Sequence, residues 1–214
     1  MDEEITIIDT KTRNEKIKNF FIENKKKIIL ISIFLILVVV SFYSYLIYKN
    51  KYMEWSADKF NSATIEYENG DKSKTISSMK DVIYDKNSTY SPLASYFLID
   101  NNLIKNQEEI NKLFNILIDE TSLEKEIKNL IIYKKALFNS DFNSENELLK
   151  ILNPIINSDS IWKSHSLYLI AEYFYSQNQK QKAKEFFNQI LLLPNVNNAI
   201  KAETQKRLNR DFSE

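Results

Sequence analysis

The hydrophobic positions of the chain follow two different patterns. From Ile28 to Tyr48 the sequence reads IILISIFLILVVVSFYSYLIY, 21 residues without a charge. At a rise of about 1.5 Å per residue, a helix of that length matches a hydrocarbon core roughly 30 Å thick. Lys25, Lys26 and Lys27 precede it, Lys49 and Lys51 follow, and Tyr43, Tyr45 and Tyr48 gather at its far end, where aromatic rings favour the headgroup layer. The pattern predicts a membrane-spanning helix from Ile28 to Tyr48. A cleavable signal would have an apolar stretch of only about 7–15 residues before a small-residue cleavage site. This stretch is longer and ends in Tyr-Ser-Tyr-Leu-Ile-Tyr, so an uncleaved anchor is expected.

Beyond residue 48 the apolar positions recur every three or four residues, the spacing of helices that bury one face. No glycine or proline occurs between Ile28 and Asn69, so the first helix is free to continue into the stripe Ser56, Phe60, Ala63 and Tyr67. Gly70, the only glycine, then supplies a turn with Asp71, and Ile76, Met79, Val82 and Ile83 form the next stripe. Pro92 opens a run containing Leu93, Ala94, Phe97 and Leu98, and Ile110, Leu113, Phe114 and Leu117 follow. A longer stripe, Leu123, Ile127, Leu130, Ile131, Leu137 and Phe138, is expected to start at a cap on Thr121 or Ser122. Leu148, Leu149, Ile151 and Leu152 lead into Pro154. Leu167, Ile170, Ala171 and Phe174 mark one further helix, and Ala183, Phe186, Phe187 and Ile190 another, closed by Pro194. A polar helix from Ala199 to about Asn209 ends the series. No segment alternates with the period of two that strands require. The expected fold is all-α: a tail over residues 1–27, mobile over its first dozen, the membrane helix over 28–48, and a helical domain over 49–214.

Composition sharpens this picture. One glycine and three prolines in 214 residues are too few for the tight turns of a sheet protein, and asparagine is abundant enough to serve at left-handed positions. Hydrophobic residues at 43% and charged residues at 27% exclude a wholly disordered chain. Lysine plus arginine and aspartate plus glutamate balance at 29 each, which argues against a phosphate-gripping nucleic-acid binder. The absence of cysteine excludes disulfides, thiolate metal sites and cysteine nucleophiles. Upstream of the apolar stretch lie Arg13, Lys16, Lys18, Lys25, Lys26 and Lys27; downstream lie Lys49, Lys51 and Lys59. That bias places the N-terminus in the cytoplasm and the domain outside.

Candidate chemistry is sparse. His165 is the only histidine, flanked by Ser164 and Ser166, but a serine nucleophile elbow needs glycines that are not there. One histidine also precludes a multi-histidine metal site, and no glycine-rich loop is present to cradle phosphates. Acid pairs such as Glu108-Glu109 and Asp119-Glu120 read as solvated charge. No catalytic, cofactor-binding or metal-binding residue is expected. Trp55, just beyond the apolar stretch, fits an interface anchor or a partner contact, and Trp162 fits a core position.

Helical hairpins joined by short turns are the units of stacked repeat proteins. Leu167, Ile170-Ala171, Phe174, Ala183, Phe187 and Ile190 occupy the places of the tetratricopeptide pattern in order, with Pro194 near the expected terminal proline. Phe60 to Ile83 is a degenerate copy, with Ala63, Tyr67, Met79 and Val82 in place but Thr75 where alanine is expected. Residues 90–160 yield no clear repeat. The layout as a whole resembles the YfgM-like family. The resemblance rests on Phe20-Phe21 and Asn24 before the apolar stretch, on Ser56-Ala57, Phe60 and Ala63 after it, on Gly70-Asp71, and on Tyr90-Ser91-Pro92-Leu93-Ala94. It implies a single-pass protein of the bacterial inner membrane with a periplasmic, tetratricopeptide-like domain. It also implies association with the SecYEG translocon and with a periplasmic chaperone such as PpiD, in aid of newly exported chains. The leading expectation is therefore a non-catalytic, membrane-anchored protein-interaction module, the alternatives being an envelope assembly scaffold or an accessory subunit of a membrane enzyme.

Overall fold

The computed structural model describes residue 13 and residues 15–212. The first dozen residues of the expected tail, and residue 14, lie outside the described residues. The chain divides into two compact units, one reaching Trp55 and the other running from Ser56.

Residues 15–23 are helical and are followed by a turn at Asn24 and by helix α1, Lys25–Glu68. The amide of Asn24 donates to the carbonyl of Phe20 at 3.0 Å and that of Ile28 to Asn24 at 2.9 Å, so the i→i−4 ladder passes through the turn. α1 contains the whole Ile28–Tyr48 stretch and extends to the predicted turn at Gly70. With no proline or glycine in its 44 residues, nothing in the backbone interrupts it.

The second unit comprises the end of α1 and eight further helices among the described residues. These are α2 (Lys72–Tyr84), α3 (Tyr90–Asp100), α4 (Gln107–Asn115), α5 (Lys125–Asn139), α6 (Glu145–Ile156), α7 (Lys163–Ser176), α8 (Lys180–Leu191) and α9 (Asn198–Asp211). A π-helical turn, Ile116–Glu120, extends α4. The described residues contain no strand. The packing is largely between sequence neighbours: α2 with α3, α5 with α6, α6 with α7, α7 with α8, and α8 with α9. Further contacts join α5 to α7 and α7 to α9.

Three helices end in the same way. Gly70, Asn102 and Asn178 adopt φ values of +86°, +52° and +60°. In each case two backbone N–H groups fold back onto the last helical turn. After α1 the pair is Gly70 to Tyr67 and Asp71 to Glu66; after α3, Asn102 to Ile99 and Leu103 to Leu98; after α7, Asn178 to Tyr175 and Gln179 to Phe174. These are Schellman caps, which require a left-handed residue, and asparagine fills that place twice where glycine is absent. Helix starts are capped by Asp71, Asn106 and Asn197 side chains, and by a reciprocal Ser144–Glu147 box.

The apolar stripes assemble into two adjoining cores. The first joins Ala63 of α1 to Met79, Val82, Ile83, Ala94, Leu98, Leu113, Phe114, Leu117 and Ile131. The second joins Ile132 and Ala136 to Leu148, Leu152, Ile155, Leu167, Ile170, Ala171, Phe174, Ala183, Phe187 and Ile190. Helix α5 thus serves both, through consecutive residues Ile131 and Ile132, and Ile118 of the π-turn packs against both.

Two sequence expectations are corrected here. Neither Thr121 nor Ser122 caps the long stripe: α5 begins at Lys125, and the Thr121 hydroxyl instead donates to the carbonyl of Ile116 at 3.1 Å, closing the π-turn. Pro154 does not follow α6 but lies in its last turn. The polar terminal helix runs slightly longer than expected, and its Ile200 and Leu208, with Phe212 beyond it, pack against the second core.

Candidate functional site

Within the first unit, the stretch from Ile28 to Tyr48 presents its side chains outward. Leu30 is 69% exposed and Tyr48 70%, and none of the most apolar window is buried. Lys25, Lys26 and Lys27 are exposed at the start of α1. This is the one helix among the described residues that is long and apolar enough to cross a membrane. Water would pay that surface a heavy penalty at about 25 cal/mol per Å², whereas a bilayer solvates it. Trp55 stacks on Tyr52 with ring centroids 5.9 Å apart.

In the second unit, the residues singled out from the repeat pattern are placed as follows. Ala63, Ala171, Ala183, Phe187 and Ile190 are fully buried, and Leu167 and Phe174 nearly so. Phe60 is half-buried, with its ring against Tyr90 and Phe97, and Gly70 is exposed at its turn. All of these are packing or turn positions. Small residues at 171 and 183 let α7 and α8 approach closely, and Phe174, Phe186 and Phe187 fill the space beside them, with Phe174 and Phe186 stacked at 5.4 Å.

Two clefts flank α5. One, of about 450 Å³, lies over Ile118, Ile132, Ile151 and Pro154. Its polar wall is built around Asn139, only 1% exposed. Asn139 Oδ1 accepts from Asn111 Nδ2 (2.9 Å) and Gln107 Nε2 (3.3 Å), while its Nδ2 donates to Asn111 Oδ1 (2.8 Å) and to the Lys135 carbonyl (2.8 Å). The amide's two lone pairs and two protons are all used. Lys135 reaches Asn115 Oδ1 at 2.6 Å, and burial pushes its ammonium below the usual lysine range, partly offset by Asp119. Lys150 adds a second positive charge to the lining, and Glu147 is occupied by the backbone and hydroxyl of Ser144, which lower its carboxyl.

The second cleft, of about 440 Å³, lies between α3 and the start of α5. It is more apolar, lined by Pro92, Leu93, Tyr96, Leu123, Ile127 and Leu130. Leu93 and Ile127 are 44% and 43% exposed, and the buried Tyr96 hydroxyl has no hydrogen-bond partner among the described residues. Burial raises its pKa above the usual tyrosine value, with Asp100 adding to the effect.

Sequence reasoning missed the first cleft. The available signal was Ile132, Lys135 and Asn139 at i, i+3 and i+7, which places Lys135 and Asn139 along one face of α5 with Ile132. The second cleft was half visible, because Pro92 and Leu93 belong to the Tyr90–Ala94 segment noted above.

His165 is packed rather than poised. Its ring lies 5.1 Å from that of Trp162 and 5.9 Å from that of Tyr133, which stack on each other at 5.9 Å. Burial lowers its pKa, opposed by the Ile161 carbonyl. Trp162 Nε1 donates to the Glu126 carbonyl at 3.1 Å, and Glu126 accepts from the Ser160 hydroxyl at 2.7 Å, which ties α7 to the start of α5. Among the described residues, no cluster of three or more histidine or acidic side chains is arranged to hold a metal.

Fold and surface together define an all-helical domain carried by a chain that has one helix long and apolar enough to cross a membrane. Compared with protein-family models, curated proteins and solved structures, the chain matches none.

Proposed function

We propose that the protein is a non-catalytic interaction module anchored in the bacterial inner membrane by α1, with the second unit in the periplasm as a tetratricopeptide-like stack. Its occupant is an extended, partly unfolded polypeptide, held while that chain emerges from the Sec translocon alongside a periplasmic chaperone. The single observation that carries the reading is the apolar cleft beside α5. Leu93 and Ile127 stand exposed there among Pro92, Tyr96, Leu123 and Leu130, an apolar lining suited to the side chains of an extended chain. Pockets of this size with a few convergent polar groups are the usual form of binding sites. An anchor confines the search to the membrane plane and raises the effective concentration of partners, so weak contacts suffice.

The test is crosslinking and affinity capture of the full chain from native membranes, beside a Leu93→Asp, Ile127→Asp double variant. Both residues are exposed, so the domain keeps its melting temperature. The reading expects translocon and chaperone components and exported chains in the capture, and their loss in the variant. A capture lacking all three overturns it.

A further inference from the structure

The segment just before the apolar stretch has a face that neither core nor cleft uses. Residues 15–23 are helical, and Ile17, Phe20 and Phe21 are 47%, 59% and 55% exposed. At about 100° per residue, Ile17, Phe20, Phe21 and Asn24 fall on one stripe. Lys16 and Lys27 border that stripe on one side, Lys18 and Lys25 on the other, while Glu15, Glu23, Lys26 and the exposed Ile22 lie farther back. None of the five lysines from 16 to 27 takes part in an ion pair among the described residues. The Phe20 and Phe21 rings meet edge-on at 6.1 Å.

An apolar stripe flanked by long cationic side chains is the pattern of a helix lying in a membrane interface. There the rings enter the headgroup layer and the lysine stems reach outward from the apolar face to anionic headgroups. Each such lysine near an anionic surface adds attraction that falls off within a Debye length. An upright helix would lift Phe20 and Phe21 about 11 Å above Ile28, beyond a headgroup layer of roughly 5–7 Å. The contact therefore needs the segment to lean over on the membrane, and Asn24, the one residue between the two helical stretches, is where it would do so, although the helical ladder runs through it in the structure. Its side chain donates to the Phe20 carbonyl at 3.0 Å, the same acceptor its backbone N–H uses.

We infer that residues 15–27 form a binding segment for anionic phospholipid headgroups, lying along the membrane surface with Ile17, Phe20 and Phe21 downward. The inference rests on the proposed membrane anchorage of α1. It commits to lipid because the stripe is continuous in sequence with the apolar stretch, and because five lysines against two glutamates complement anionic headgroups.

The chain has no cysteine, so single-cysteine labelling is unambiguous. Phe21→Cys and Asn19→Cys, the second on the back of the helix, are labelled with an environment-sensitive fluorophore. Each full-length variant is reconstituted into phosphatidylcholine vesicles with or without about one-third phosphatidylglycerol. Position 21 is expected to give at least twice the emission, blue-shifted, in the anionic vesicles, and position 19 to stay unchanged. Replacing Lys16, Lys18, Lys25, Lys26 and Lys27 by Gln should abolish the gain. Chain retained in both vesicles with no dependence on lipid charge, or with position 19 responding as strongly as 21, overturns the inference alone. Chain retained in neither vesicle overturns the anchorage reading and this inference with it.

Discussion

The stretch from Ile28 to Tyr48 and the helices from α2 to α9 are both rich in Ile, Leu, Phe and Tyr, yet they dispose of those side chains in opposite ways. In α2–α9 the apolar residues recur at helical spacing and most of them are buried: Met79, Leu98, Leu152 and Phe187 have no exposed surface. In α1 they run all round the helix, and Leu35, Ile36, Leu37, Val38 and Val39 are each at least half exposed. Periodicity, rather than hydrophobicity, is what separates a helix that needs neighbours from one that needs a different solvent. The second region uses polar groups as well, because a helical stripe leaves an opposite face for lysines, acids and amides to cover.

The comparison can be broken from either side, and the largest effect should come from charging the apolar helix. Leu35→Lys with Val38→Lys places two ammonium groups at its centre, at about 2.5–3.5 kcal/mol each on insertion scales. Membrane retention should be lost while the domain's melting temperature stays unchanged, as read by fractionation and circular dichroism. The reciprocal change, Phe187→Ala, empties a fully buried aromatic site in the second core. It should cost about 3–5 kcal/mol of domain stability in urea unfolding and leave retention intact.

A smaller effect is expected at the cleft wall. Asn139→Asp keeps shape but removes the two donations to Asn111 and Lys135. Leaving buried acceptors unpaired should cost about 1–3 kcal/mol, whereas the exposed Asn146→Asp should be silent in the same urea titration.

Smallest is the acid-side loss from His165. Burial holds its pKa below 6.5, so as pH falls the unfolded chain takes up the proton first and the folded state loses stability. The loss should begin near pH 6.5 and level off below the lowered folded value. His165→Gln should flatten that part of the stability–pH curve, leaving the loss at lower pH. There the carboxyls of Glu66 and Glu145, lowered chiefly by hydrogen bonds from Lys74 and Lys182, become protonated.

What the sequence made legible follows the same division. The uncharged run and the regular stripes from Leu167 to Ile190 were readable because each carries its signal within a dozen or so residues. Gly70 marked its turn for a reason the backbone confirms, a φ of +86°. Asn102 and Asn178 do the same work, but asparagine is so common in this chain that composition hides the two that matter. The middle was opaque for a physical reason. The π-turn at Ile116–Glu120 shifts the helical phase, so a 3.6-residue reading loses register there, and Thr121, which looks like the cap of the next helix, finishes the previous one. The first cleft was hidden because its key contacts, Asn139 to Asn111 and Gln107, span about 30 residues, and no local pattern announces a long-range amide pair.

The most direct test of the central claim is alkaline extraction of membranes containing the full-length chain. High pH strips proteins held by charge or by partner contacts but not those solvated by the hydrocarbon core. If Ile28–Tyr48 is apolar all round because lipid surrounds it, the wild-type chain stays in the membrane pellet and the Leu35→Lys, Val38→Lys chain appears in the supernatant. Wild-type chain recovered in the supernatant would contradict the account.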